Sequence, residues 1–332
     1  MSLKFTRRRV IAIAAAAAGL PLLLKAGSAQ ARILTWEGKA LGADASIKLY
    51  HQDEGKAKAA ISASLSEVER LEKIFSLYRA DSAISALNCQ GRLENAPSEL
   101  LTLANEAKEL ARITEGSFDP TVQPVWQLYF RHFTSSTPNP VGPSSADMAE
   151  ALALVDWQGL KVDLDAKTIS FAKLGMGLTL NGMAQGFITD RVADVLRAHG
   201  FGSMLVDMGE PRALEAKPDG SGWKIGIANP ANPTQAITSV EVVGKAVATS
   251  GGYGTLFDDA GKFTHLIDPK SGRTAPMLAG VTVIADSAAK ADGLSTALSV
   301  APVEKRQAIL SAGGGETAIF VTPEGVISKV TA

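Results

Sequence analysis

Short strand-like runs and separate amphipathic helices succeed one another along this 332-residue chain without a regular strand–helix–strand alternation. That succession argues for the α+β class. Strand-like segments cover 33–36 and 41–50, and from about 56 to 75 the residues Ile61, Leu65, Val68, Leu71 and Ile74 fall on one helical face. A second amphipathic helix is predicted over 98–113, with Pro97 just ahead of it. Residues 132–147 are rich in Ser, Pro and Thr and read as a surface loop. Strands at 161–163 and 168–171 precede a glycine-rich turn and a helix over 182–199, with Phe187, Ile188, Val192, Val195 and Leu196 inward. Further strands lie near 203–207, 223–228, 237–243, 246–249 and 281–285. A helix over 291–300 and a terminal helix–strand–turn–strand complete the course. No fixed-period repeat and no clean linker interrupts it, so a single domain is expected, with two lobes allowed.

The first 31 residues read as something other than fold. A basic start with Thr6-Arg7-Arg8-Arg9, an apolar run from Val10 to Leu24, and Ala29-Gln30-Ala31 make an export signal removed on maturation. The paired arginines behind Thr6 point to the twin-arginine route, which carries folded proteins, and so to a periplasmic location. The run of roughly 15 apolar residues is shorter than the ~20 that span hydrocarbon, so the mature protein is not expected to cross the membrane. Cleavage after Ala31 leaves residues 32–332 with 28 basic and 34 acidic residues, a net of −6. A mildly acidic chain makes nucleic acid an unsuitable partner. Cys89 is the single cysteine, so stability must come from a packed core, and the residue reads as a small core or turn position rather than a nucleophile. His51, His132, His199 and His265 show no zinc-like spacing.

Four clusters place glycine beside polar or acidic residues at element ends. Gly116-Ser117-Phe118-Asp119-Pro120-Thr121-Val122 would aim Asp119 outward from a rigid turn, though alone it is an ordinary helix stop. Leu180-Asn181-Gly182-Met183-Ala184-Gln185-Gly186 opens a helix whose free amides favour a phosphate. It is neither of the standard nucleotide fingerprints, and such a start more often serves packing. Thr249-Ser250-Gly251-Gly252-Tyr253 offers hydroxyls and amides, and the following His265 and Asp268 lie close enough to share a site. In Ala291-Asp292-Gly293-Leu294-Ser295-Thr296, the carboxylate and the hydroxyl at i and i+4 face the same way, as hard oxygen donors for Mg²⁺. An N-capping Asp292, with Thr296 bonding back into the helix, explains the same residues.

The order of these clusters is more specific than any one of them, and it resembles the ApbE family of FAD:protein FMN transferases. The matching blocks are Phe75-Ser76-Leu77-Tyr78 through Ser82 to Asn88, the Gly116–Val122 and Gly182–Gly186 turns, Thr249-Ser250-Gly251, His265-Leu266-Ile267-Asp268-Pro269-Lys270-Ser271-Gly272, and Ala291–Thr296. The resemblance implies a single α+β domain holding FAD in a cleft. It places Tyr78 against the flavin or adenine, Asp119 at the nucleotide, and Thr249, Ser250 and His265 near the pyrophosphate, beside the Gly182, Ala184 and Gln185 turn. The Ala184 carbonyl, Asp292 and Thr296 match the family's Mg²⁺ site. The implied reaction splits FAD, passes FMN to a threonine of a partner flavoprotein and releases AMP, with His265 or Asp268 as the base. Thr179, Asn181 and Gln185 replace an aspartate, a glycine and a lysine common in the family, and Asp207-Met208-Gly209-Glu210 departs from its usual N-L-G-G-D/N. These departures resemble the branch associated with nitrous oxide respiration, often called NosX, whose acceptor is a membrane-bound flavoprotein. A flavin-binding carrier without transfer, motivated by Gln185, and a hydrolase cleaving FAD to FMN and AMP are the alternatives. Nothing in the residues fixes the oligomeric state.

Overall fold

The computed structural model describes residues 32–40, 43–230, 232–274 and 278–332, so residues 1–31, where an export signal is expected, lie outside the described residues. The strands β1 (Arg32–Ala40) and β2 (Ala43–His51) form a pair, and α1 (Glu54–Phe75) starts where the Asp53 side chain accepts the Lys56 amide. Next come α2 (Ala83–Gln90), capped by Ser82, then β3 (Arg92–Leu93) and α3 (Ser98–Ile113). The helices α4 (Gln123–Thr134) and α5 (Ser145–Leu152) precede β4 (Leu160–Asp163), β5 (Thr168–Phe171) and α6 (Ala184–Ala198). The strands β6 (Met204–Asp207), β7 (Pro211–Ala213), β8 (Trp223–Asn229), β9 (Asn232–Val242), β10 (Ala246–Gly251) and β11 (Gly280–Ala285) follow. The chain ends with α7 (Ala288–Val300), α8 (Arg306–Ala312), β12 (Gly315–Val321) and β13 (Ile327–Thr331).

Eight strands make one antiparallel sheet in the order β1-β2-β6-β7-β10-β11-β12-β13, while β3-β5-β4 and β8-β9 form two smaller sheets. Alternation along the strands divides the burial between two faces. Ile47, Leu49, Met204, Val206, Ala248, Val281 and Val283 join the main core with α1, α3, α6 and α7. Leu205, Val247 and Ile284 point the other way and are covered by Trp223, Ile225 and Val242 of the β8–β9 ribbon. β11 lies between both layers and is buried at all six positions, as expected of a strand covered on each side. A third cluster holds the aromatic side of α4, with Tyr129 and Phe133 against Phe263.

The α+β class and the single domain are therefore as the sequence suggests. Three helices were not foreseen. α2 and α4 had no assignment, and α5 begins inside the expected 132–147 loop, where Ser144 caps it by accepting the Asp147 amide. Cys89 lies exposed in α2, not in the core. Among the described residues, no helix is long and apolar enough to cross a membrane.

Candidate functional site

The end of α1, the turn after α3, the start of α6, the β6–β7 turn, the end of β10 and one face of α7 surround a cleft of about 590 Å³. That volume suits a small-molecule ligand. Tyr78, Asp119, Gly182, Ala184, Gln185, Thr249, Ser250, His265, Asp292 and Thr296 all line it, although they come from six separate stretches of chain. Asp268 is not among the lining residues. Its carboxylate takes the Lys270 amide at 3.0 Å and the Ser271 hydroxyl at 2.6 Å, and its own amide donates to the Arg273 carbonyl. Asp268 thus closes the Asp-Pro turn behind His265, and of the two candidate bases His265 is the one that lines the cleft.

The His265 ring is half-buried, with Nδ1 3.2 Å from the Thr255 carbonyl and 3.3 Å from the Thr255 amide. Burial lowers its pKa, so near neutral pH the imidazole is uncharged and can accept a proton. Asp119 is turned inward, not outward as its turn suggested. One carboxylate oxygen takes the Thr121 amide at 2.8 Å and hydroxyl at 2.6 Å, and the other takes the Trp157 amide at 3.2 Å. Burial holds this carboxyl above its ordinary value, and its contacts fix the cleft wall from within. Tyr78, more than half exposed, stands at the mouth.

The start of α6 and the middle of α7 meet at the floor. Gly186 is required there by close approach, since a Cβ would lie 2.3 Å from the Ala288 carbonyl oxygen. Ser287, not Asp292, caps α7, which leaves Asp292 one turn inside the helix. Its carboxylate accepts the Gly186 amide of the neighbouring helix at 3.3 Å, so that amide is not free for a phosphate. The bond back to the Asp292 carbonyl comes from Ser295, while Thr296 Oγ1 lies 3.1 Å from Ser250 Oγ. Burial, with a further push from Asp190, raises the Asp292 carboxyl to about 7.

Among the described residues, no group of three His, Cys, Asp or Glu side chains is arranged to hold a metal. The set on α6 and α7 is of another kind: one carboxylate from Asp292, the Ala184 carbonyl and the Thr296 hydroxyl. Mg²⁺ accepts one or two carboxylates and completes its shell with water and substrate phosphate, so the donors fit it. Two observations agree. A cation would supply the counter-charge that buried Asp292 lacks, and Gly182 leaves Thr296 open, since a Cβ there would sit 2.9 Å from Thr296 Oγ1.

Sequence reasoning did not place Glu210 in the site. It follows Gly209 in the β6–β7 turn, lines the cleft and accepts the Thr249 amide at 3.2 Å. Burial, then the charges of Asp292 and Asp207, hold its carboxyl well above the ordinary range. The signal available was a Gly-Glu pair directly after a strand end, the position from which other site residues project. Tyr253 and Trp126 also line the cleft.

Comparison with known proteins places this architecture. A family model described as the ApbE family matches residues 41–320. The FAD:protein FMN transferase of Haemophilus influenzae is 32% identical over 336 residues, covering 94% of each chain. That of Vibrio cholerae is 31% identical, covering 88% of each. Among solved structures, the apo flavinyl transferase ApbE of Pseudomonas stutzeri superposes with a TM-score of 0.78 at 30% identity, over 92% of this chain and 97% of its own. The ApbE protein of Thermotoga maritima gives a TM-score of 0.80 at 26% identity, over 90% and 97%.

Proposed function

The chain belongs to the ApbE family and is an FAD:protein FMN transferase, and from that premise we propose that it uses Mg²⁺ to attach FMN to a threonine of an exported partner flavoprotein. The observation that carries the metal reading is Asp292, a buried carboxylate grouped in the cleft with the Ala184 carbonyl and the Thr296 hydroxyl. Mg²⁺, when bound, supplies positive charge against the pyrophosphate oxygens, the main need of phosphoryl transfer. Asp292, Ala184 and Thr296 would hold it, and Ser250 would orient the Thr296 hydroxyl through their 3.1 Å contact. Neutral His265, steadied at Nδ1 by Thr255, takes the proton of the acceptor hydroxyl. The threonine oxygen bonds to the FMN phosphorus, the bond from that phosphorus to the bridging oxygen breaks, and AMP departs with the electron pair. Asp119 and Asp268 contribute by holding the two turns that shape the wall.

The setting proposed for this reaction is the periplasm, reached by the twin-arginine route through residues 1–31. The acceptor is a membrane-bound flavoprotein of nitrous oxide respiration, the reading supported by Gln185, Asn181 and Glu210. Purified mature protein, incubated with FAD, Mg²⁺ and a threonine-bearing acceptor domain, should leave flavin covalently on that domain and release AMP. Free FMN with an unmodified acceptor would instead mark the chain as a pyrophosphate hydrolase. Bound, intact FAD with neither product would mark it as a carrier.

A further inference from the structure

The two nitrogens of His265 meet different surroundings. Nδ1 faces Thr255, whereas the Cε1–Nε2 edge lies beside Gly254, where a Cβ would stand 3.2 Å from Cε1 and 3.7 Å from Nε2. Gly254 lines the cleft, is exposed, and keeps its φ outside the left-handed region, so its backbone does not demand glycine. The missing side chain instead leaves Nε2 open to the rim. From that point residues 255–265 form a hairpin: the His265 amide donates to the Thr255 carbonyl at 3.1 Å, the Phe257 amide donates to the Phe263 carbonyl at 2.8 Å, and Leu256 pairs with Thr264 between them. In such a pair the N–H and C=O groups of Leu256 and Thr264 point away from each other, to the two outer edges of the hairpin. Thr264 is covered, 7% exposed with its hydroxyl on the Thr274 carbonyl, but Leu256 is 48% exposed. Phe257 and Phe263 fix the hairpin against Tyr129 of α4, at ring-centroid distances of 5.4 and 5.7 Å.

We propose that the protein acceptor docks by laying the extended segment that carries its reacting hydroxyl along this open edge, exchanging main-chain hydrogen bonds with Leu256 and passing Gly254 to reach His265 Nε2. The inference rests on His265 as the base and adds to that reading the surface that recognises the acceptor. The reaction fixes the occupant, because the second substrate of this transferase is a protein. A hydroxyl bound for Nε2 brings its own chain over Gly254 and Thr255, which belong both to the cleft wall and to the exposed rim. The docking edge is thus continuous with the site the acceptor must enter. An unpaired strand edge is a template for a further strand, with affinity from backbone groups and choice from the side chains alongside. The exposed Leu256 side chain suits an uncharged, apolar residue at the acceptor position opposite it.

Transfer to a threonine-bearing acceptor domain by the full mature chain with FAD and Mg²⁺ tests this through the KM for the acceptor. Leu256→Pro removes the outward N–H without breaking a bond inside the hairpin. It should raise that KM by about tenfold or more, as expected when an interface hydrogen bond is lost and its partner is left unpaired. FAD affinity and the rate at saturating acceptor should stay near wild type. Leu256→Asp should raise the KM severalfold, while Leu164→Asp, at an exposed leucine between β4 and β5, should leave it unchanged. Hydrogen exchange on the unaltered chain keeps the test independent of how the proline variant folds. With FAD and an acceptor domain carrying valine in place of its threonine, the Leu256 amide should become protected. An unchanged KM in Leu256→Pro, or a Leu256 amide that stays unprotected in the complex, would overturn the docking edge while leaving the transferase reading intact. Wild-type protein that leaves the acceptor domain unmodified would overturn both.

Discussion

Asp292 serves two partners with one carboxylate: it accepts the Gly186 amide, and it offers its charge to the cleft. Asp292→Asn keeps an acceptor for the amide and removes the charge. Folding should survive, Mg²⁺ should bind more weakly, and transfer should fall by well over tenfold, since metal charge stabilisation is worth several kcal/mol and ~1.4 kcal/mol is a factor of ten. Near-normal transfer by this variant at limiting Mg²⁺ would reduce Asp292 to its structural contact. His265→Ala should leave FAD affinity within a few-fold and slow transfer by roughly 10²–10⁴, the contribution of a positioned base. Single-turnover rates set beside flavin titrations separate the two effects, and a loss of binding without a loss of rate would refute the assignment. Asp292 and Thr296 were legible because an i, i+4 pair shares a helix face whatever the rest of the fold does. Asp119 was misjudged in direction, because a turn sequence does not reveal that the Trp157 amide lies within reach. Glu210 was missed for a similar reason: its place opposite Asp292 exists only once the β6–β7 turn packs beside α7.

At the level of elements, α6 and α7 stabilise one another's first turns. Asp292 on α7 takes the Gly186 amide of α6, and Asp190 on α6 takes the Ala288 and Ala289 amides of α7 at 2.8 and 3.1 Å while pairing with Arg212. Each helix thus satisfies amides that a free N-terminus leaves without partners. The exchange depends on close approach at Gly186, where a Cβ would meet the Ala288 backbone at 2.3 Å. Gly186→Ala should force the helices apart and cost about 1–3 kcal/mol. The melting temperature should drop by roughly 2–4 °C per kcal/mol, given the values for domains of somewhat smaller size. Metal affinity should weaken with it, because Ala184 and Asp292 sit on opposite sides of the displaced contact. An unchanged thermal melt would show that the gap closes at no cost. Both helices were expected, α6 from its apolar spacing and α7 over 291–300, but their contact was not, and Gly186 was read there as part of a phosphate turn. α4 escaped notice because its buried face is built of aromatics, including Tyr129 and Phe133, which are weak helix formers whose place is decided by packing on Phe263.

Over the whole molecule, the strands were mostly found and their order was not. β6 sits beside β2, and β7 beside β10, because the sheet brings together segments far apart in sequence, which local alternation does not encode. The same long-range assembly gathers carboxyls into the interior, and this sets how stability depends on pH. The Asp292 carboxyl is raised from an ordinary 3.8 to about 7 by burial and by Asp190, and Glu210 is raised well above its ordinary range by burial and by Asp292. A carboxyl whose pKa is higher folded than unfolded holds its proton in the folded chain after the unfolded chain has lost it. Its favourable contribution is complete below about 3.8 and is lost as pH rises towards and through about 7. Surface acids held low by ion pairs, such as Asp81 beside Arg79, work in the opposite sense, so the raw profile of the metal-free protein mixes both. Comparison of wild type with Asp292→Asn cancels those shared terms. Metal-free wild type should lose stability relative to the variant between about pH 4 and pH 7 and keep a constant gap above. Mg²⁺ binds the ionised carboxylate and stabilises the folded state by mass action, so its effect on the wild-type melting temperature should grow from pH 5 to pH 8. In Asp292→Asn that growth should be largely absent. A Mg²⁺-induced rise in melting temperature that is the same at pH 5 and pH 8, or the same in both proteins, would detach the metal from Asp292.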